Sequence, residues 1–106
     1  MKPLPPGPLN LAQIQEYVAK MELERGFANS TTVDQALKLA EETGEVCKAV
    51  RKCASLRMDP NSTVGELGAE LADVLIYVAA IANREGLDLS QALRDKELVN
   101  EKRTWC

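Results

Sequence analysis

Two pairs of acidic residues carry the spacing from which chemistry can be read: Glu42 with Glu45, and Glu70 with Asp73. Residues three apart on a helix share a face, so each pair can present both carboxylates to one point. The second pair sits in an unusual setting, the run GAELADVLIYVAAIANR. At about 100° per residue, Leu67, Leu71, Val74, Leu75, Val78, Ile81 and Ala82 fall on one broad face. Ala72, Ile76, Ala79 and Ala80 cover most of the rest, leaving a narrow polar stripe of Glu70, Asp73 and Tyr77. A helix apolar nearly all round is predicted to be buried, and acids there need a counter-charge or a metal. One such pair alone would fit a thin solvated strip; two of identical spacing favour convergence.

A turn at Asp59, Pro60, Asn61 and Ser62 would fold the two acid-bearing helices into an antiparallel hairpin, bringing the pairs close to one another. Two like charges 4 Å apart repel by about 4 kcal/mol at an effective dielectric near 20, so four together must take up protons or bind a cation. Carboxylate oxygens favour a hard ion, and a site that keeps waters for chemistry favours Mg²⁺ over Ca²⁺. The chain has no histidine, which argues against a di-iron carboxylate bundle with its Glu-x-x-His signature. A glycine-rich phosphate loop of the GxxxxGK type is also absent. Metal and a few cations must then hold any phosphates.

The pattern EExGE, here Glu41, Glu42, Thr43, Gly44 and Glu45, followed by ExxD at Glu70 and Asp73, resembles the MazG-like all-α nucleoside triphosphate pyrophosphohydrolases. Relatives of that family include the dCTP pyrophosphatases and the dimeric dUTPases. The likeness runs from about Thr32 to Trp105 through EVCKAVRK, GLDLSQAL and NEKR; where members often read close to NxxRYP, this chain has Thr104 and Trp105. The resemblance implies Mg²⁺-dependent hydrolysis, with Mn²⁺ a possible substitute, of a nucleoside triphosphate to the monophosphate and pyrophosphate, in nucleotide-pool house-cleaning. Glu42, Glu45, Glu70 and Asp73 would hold the metal, which lowers the pKa of water and neutralises phosphate oxygens. Glu45 or its neighbour Glu41 would take the proton. Tyr77 would pack on the sugar or base, and Lys96, Asn100 and Arg103 match positions near the triphosphate or sugar.

The elements that must position these residues are all helical. An arm over residues 1–9, MKPLPPGPL, is too rich in proline for helix or sheet and is expected to be flexible. The remainder, 10–106, reads as one domain of four antiparallel helices, a bundle completed by oligomerisation. The first runs from an Asn10 N-cap to Gly26, with Leu11, Ile14, Val18 and Met21 as its apolar stripe. Thr31 or Thr32 caps the second, Thr32 with Gln35 matching a capping box. Its inner face is expected to be Val33, Ala36, Leu37, Ala40, Cys47 and Val50. Thr63 and Glu66 predict a capping box for the third helix, which Gly86 ends. Ser90 is the expected N-cap of the fourth, with Ala92, Leu93 and Leu98 turned inward.

At 106 residues and net charge −3, the chain has no basic stripe to attract duplex nucleic acid. Neither a leader nor a membrane-spanning run is evident, so a cytoplasmic location is expected. Its three cysteines lack metal or disulfide-framework spacing, and Cys47 reads as core packing. The third helix is apolar on more sides than one short chain can cover, which predicts a homodimer at least, with a tetramer possible. The chief alternative is a non-catalytic helical interaction module, its acids paired with Lys48, Arg51 or Lys52. Mg²⁺ uptake separates the two.

Overall fold

A computed structural model describes residues 3–55, 57–61 and 63–103. Its helices are α1 (Leu11–Arg25), α2 (Thr32–Cys53), α3 (Leu67–Arg84) and α4 (Leu89–Glu101), and no strand occurs among the described residues. Met1, Lys2, Ser62 of the expected turn, Thr104, Trp105 and Cys106 lie outside them.

The helix ends follow local chemistry. Asn10 caps α1 by accepting from the Gln13 N–H at 2.8 Å, while Gln13 returns the bond to the Asn10 N–H. Gly26, at φ 80°, ends the helix in the left-handed conformation that costs a residue without a Cβ little. On α2 the box is Thr31 with Asp34, one residue earlier than the Thr32 and Gln35 pairing expected. Two other expected caps are replaced. Glu66 is itself the N-cap of α3 and makes no side-chain cap bond. Its carboxylate lies 3.9 Å from Lys52 Nζ of α2. Asp88 caps α4 in place of Ser90, accepting from the Gln91 N–H at 3.2 Å.

α2 and α3 form the expected antiparallel hairpin, the most extensive helix pairing in the chain. Thr32 at the start of α2 donates to Glu85 just past α3 at 2.7 Å; at the other end Lys52 approaches Glu66. α1 crosses the C-terminal half of α3, burying Val18 and Met21 against Ala79 and Ala80, with Ile14, Tyr17, Ile76 and Leu89 around them. Gln15 ties this layer to the next turn. Its amide donates to Asn83 Oδ1 at 3.1 Å and to the Leu87 carbonyl at 2.8 Å, and accepts from the Leu89 N–H at 2.9 Å.

Two expectations about faces are corrected. The side of α2 that meets α3 runs Gln35, Leu39, Glu42, Val46, Ala49, at alternating steps of four and three. The predicted inner face is the solvent side, with Val33 68%, Leu37 62% and Val50 48% exposed and Ala36, Ala40 and Cys47 also open. α2 thus has two apolar faces, and the more hydrophobic one is left uncovered because the acid-bearing face is needed inside. Ile76 and Ala79 pack on α1, and the uncovered large apolar residues of α3 are Leu71 and Leu75. Finally, α4 buries no residue, and Ala92, Leu93 and Leu98 are all exposed. It touches the chain chiefly through α1.

Candidate functional site

Midway along the hairpin, Glu42 of α2 faces Glu70 and Asp73 of α3. One carboxylate oxygen from each lies within 4.8 Å of the other two. Local packing explains why they meet: Glu42 occupies the α3-facing row of α2 between Leu39 and Val46, and Glu70 and Asp73 lie on the polar stripe of α3. Backbone geometry contributes as well. Gly65 passes so close to Glu70 that a Cβ there would overlap its carboxylate Oε1.

Glu42 is the most perturbed of the three. Loss of water around it, a hydrogen bond shared with the Glu70 carboxyl, and the charges of Asp73, Glu70 and Glu45 all push its pKa above the ordinary carboxylate value. Its Oε2 is fully buried and has no hydrogen-bond partner. No lysine or arginine among the described residues pairs with any of the three. Three acids at this separation with an orphaned oxygen form an all-oxygen donor set that matches a hard divalent cation.

Glu45 stands beside this group but outside it. It is half-buried, its charge acts on Glu42, and its carboxylate lies 3.5 Å from Lys48 Nζ. Glu41 is exposed on α2, and its charge is felt at Tyr77 instead. The Tyr77 hydroxyl is held above its usual pKa first by burial, then by Glu42, Asp73 and Glu41. Tyr77 and Asp73 line a cavity of about 200 Å³ between α1, the 27–30 loop, α2 and α3. Lys96 and Asn100 are on α4 and Arg103 lies just past its C-cap; they line neither this cavity nor the acid cluster, and Asn100 Nδ2 donates to Glu97 Oε1 at 3.0 Å.

Sequence reasoning missed Glu22, Arg84 and Gln35. The signal for Glu22 was present, since it follows Val18 by four on the stripe that α1 buries. Its carboxylate accepts both terminal nitrogens of Arg84, one of them at 3.0 Å. Arg84 also donates to the carbonyls of Ser30 at 2.6 Å, Phe27 at 3.0 Å and Ala80 at 3.0 Å. The loop that walls the cavity is therefore fixed to α1 and α3 by one guanidinium.

Residues 30–102 match the family model of the MazG nucleotide pyrophosphohydrolase domain. The chain belongs to the MazG family. It is a hydrolase of the nucleoside triphosphate pyrophosphatase class, dependent on divalent metal and acting on nucleotides. Among solved structures it is similar to iMazG from Vibrio DAT 722, at 30% identity over 88% of this chain and 95% of that one, with a TM-score of 0.67. It is also similar to the cyanophage S-2L MazG-like pyrophosphohydrolase bound to dGDP and three catalytic Mn²⁺ ions per active site. There the identity is 26% over 93% of this chain and 85% of that one, with a TM-score of 0.69. No curated protein sequence matches the chain. Of the four paired acids, Glu45 meets Lys48 as the interaction-module alternative expects, whereas among the described residues Glu42, Glu70 and Asp73 have no lysine or arginine partner.

Proposed function

We propose that this protein hydrolyses nucleoside triphosphates to the monophosphate and pyrophosphate with Mg²⁺, Mn²⁺ being able to substitute, as a house-cleaning enzyme of the cytoplasmic nucleotide pool. The observation that carries the reading is the Glu42, Glu70 and Asp73 cluster with its orphaned Glu42 oxygen. The bound dGDP and Mn²⁺ of the cyanophage relative support it. Among the described residues, no helix is long and apolar enough to cross a membrane.

Glu42, Glu70 and Asp73 would hold the metal, with Glu45 joining when its surface pair with Lys48 opens; exposed pairs of that kind are held by only about 0–1 kcal/mol. Bound there, Mg²⁺ supplies charge neutralisation for the phosphate oxygens and a lowered pKa for water. Glu45, whose charge acts on Glu42, is the better placed general base; Glu41 faces the Tyr77 side. Asp73 and Tyr77 share a cavity wall, so a nucleotide with its phosphates at the acids would have its nucleoside end against Tyr77. That polarity puts the attack at the phosphorus nearest the sugar, with pyrophosphate leaving.

The enzyme is proposed to act as a homodimer or tetramer. Its radius of gyration is 16.4 Å, against about 13 Å for a compact chain of this length. Val33, Leu37, Val50, Leu71 and Leu75 form uncovered apolar surface on the hairpin, more than a small monomer ordinarily leaves open. Lys96 and Asn100 lie on the least buried helix, α4, and Arg103 just beyond it, and in the assembly they are proposed to serve the phosphates or sugar.

Phosphorus NMR of the reaction tests the chemistry. Nucleoside monophosphate with intact pyrophosphate is expected, and nucleoside diphosphate with free phosphate would overturn the reading.

A further inference from the structure

We propose that the Gln35 carboxamide reads the nucleobase, and that the cavity beside the acid cluster is the base pocket whose hydrogen-bonding selectivity this one side chain sets. The inference rests on the pyrophosphohydrolase reading and deepens it. Gln35 is 5% exposed, lines the cavity, and its side chain has no hydrogen-bond partner among the described residues. Neither of its amide atoms is among the fully enclosed orphans, so the amide meets the space of the cavity and is available to bond what enters it. Here it opens on a cavity with an apolar floor from Met21 and Ile76 and aromatic rings from Phe27 and Tyr77. Asp73 borders the same space.

The dimensions and chemistry select the ligand part. At about 200 Å³ the cavity is below the roughly 300–1,000 Å³ of pockets that enclose whole drug-sized ligands. It has room for a planar ring system while the sugar and phosphates continue toward Asp73. Tyr77 and Phe27 offer faces for stacking. A carboxamide presents one donor group and one acceptor in a plane, so it pairs with a base edge that offers an acceptor next to a donor. Side chains that read a base edge in this way discriminate by about tenfold to a hundredfold per base. Arg84 acts as a positioning residue, since its bonds to the Phe27 and Ser30 carbonyls hold the pocket wall.

The test is pyrophosphate release from dATP, dCTP, dGTP, dTTP and dUTP by the full chain and by Gln35→Met, of similar length but without the amide. The wild type is expected to rank the bases, and the spread in kcat/KM is expected to shrink at least tenfold in Gln35→Met. Gln35→Glu, which only accepts hydrogen bonds near neutral pH, should shift preference toward guanine, whose N1–H and 2-amino group present adjacent donors. In the wild type, the Gln35 side-chain amide resonances should move on adding the preferred nucleoside monophosphate and stay in place with pyrophosphate alone. This NMR readout needs neither variant to fold. An unchanged ranking in Gln35→Met, or stationary resonances, would overturn the assignment while leaving the hydrolase reading intact. Absence of pyrophosphate release from every triphosphate, wild type included, would remove both.

Discussion

Glu42 owes its perturbed state first to burial, then to Glu70 and Asp73 on the facing helix and Glu45 on its own, so the chemistry of the cluster belongs to the hairpin and to no single residue. Asp73→Asn and Glu70→Gln remove ligand charge with little change in shape. Each is expected to abolish pyrophosphate release and to erase the rise in melting temperature that Mg²⁺ gives the wild type, because a ligand stabilises only the state it binds. Calorimetric titration with Mg²⁺ and thermal melts check both. Gly65 offers a subtler probe. An alanine there must displace the end of the flexible Glu70 side chain, so Gly65→Ala should fold normally yet bind Mg²⁺ more weakly by a factor of ten or more. Arg84 and Glu22 form a pair buried to 14% and 8% exposure. Removing one partner from such a pair leaves an uncompensated charge and costs about 3–5 kcal/mol. Arg84→Met is therefore expected to lower the denaturation midpoint sharply.

Among the elements, the start of α2 carries a pH signature. Asp34 accepts from the Thr31 N–H at 3.0 Å, and that bond with the neighbouring Thr31 hydroxyl holds its carboxyl below the ordinary value. A depressed folded-state pKa contributes stability above the unfolded value near 4 and loses it as pH falls through the folded one. Stability should thus decline on acidification below about pH 4, and Asp34→Asn should flatten that part of the curve, as chemical denaturation at a series of pH values would reveal. The helices themselves were legible in the sequence because caps such as Asn10, periodicity and glycines such as Gly26 are local signals. Their faces were less so. α2 has apolar residues on two sides, and the choice between them depends on where Glu42 must go, which is a property of its partner helix. Gln35 was read as a capping residue and its place in the cavity was missed for a related reason, since a glutamine near the start of a helix is ordinarily solvated and only the arrival of α1 and α3 buries it. The acids of the site were readable because two pairs with one spacing occur in one chain; the ion pair of Glu45 with Lys48 was legible only as an alternative.

On the scale of the whole molecule, the exposed stripe of Val33, Leu37 and Val50 with Leu71 and Leu75 on α3 is what the proposed assembly would cover. Leu37→Glu, at a position 62% exposed in the single chain, should cost the isolated fold little. In light scattering the wild type is expected at the mass of a dimer or tetramer, and Leu37→Glu at or near that of a monomer. A wild-type monomer at micromolar concentration would contradict the assembly.

The way α4 is attached has a kinetic consequence. Its first residue, Leu89, packs on the core and donates its N–H to Gln15, but no residue of the helix is buried, so the turns beyond Leu89 can open with little disturbance to the α1–α3 core. Their amide protons should then exchange with solvent by local opening, far faster than those of α3. If a second subunit covers Leu93, Leu98 and Val99, that opening requires dissociation, and the exchange rate in α4 should fall as protein concentration rises. Mass-resolved hydrogen exchange at two dilutions would make the least anchored helix a reporter of whether the enzyme is assembled.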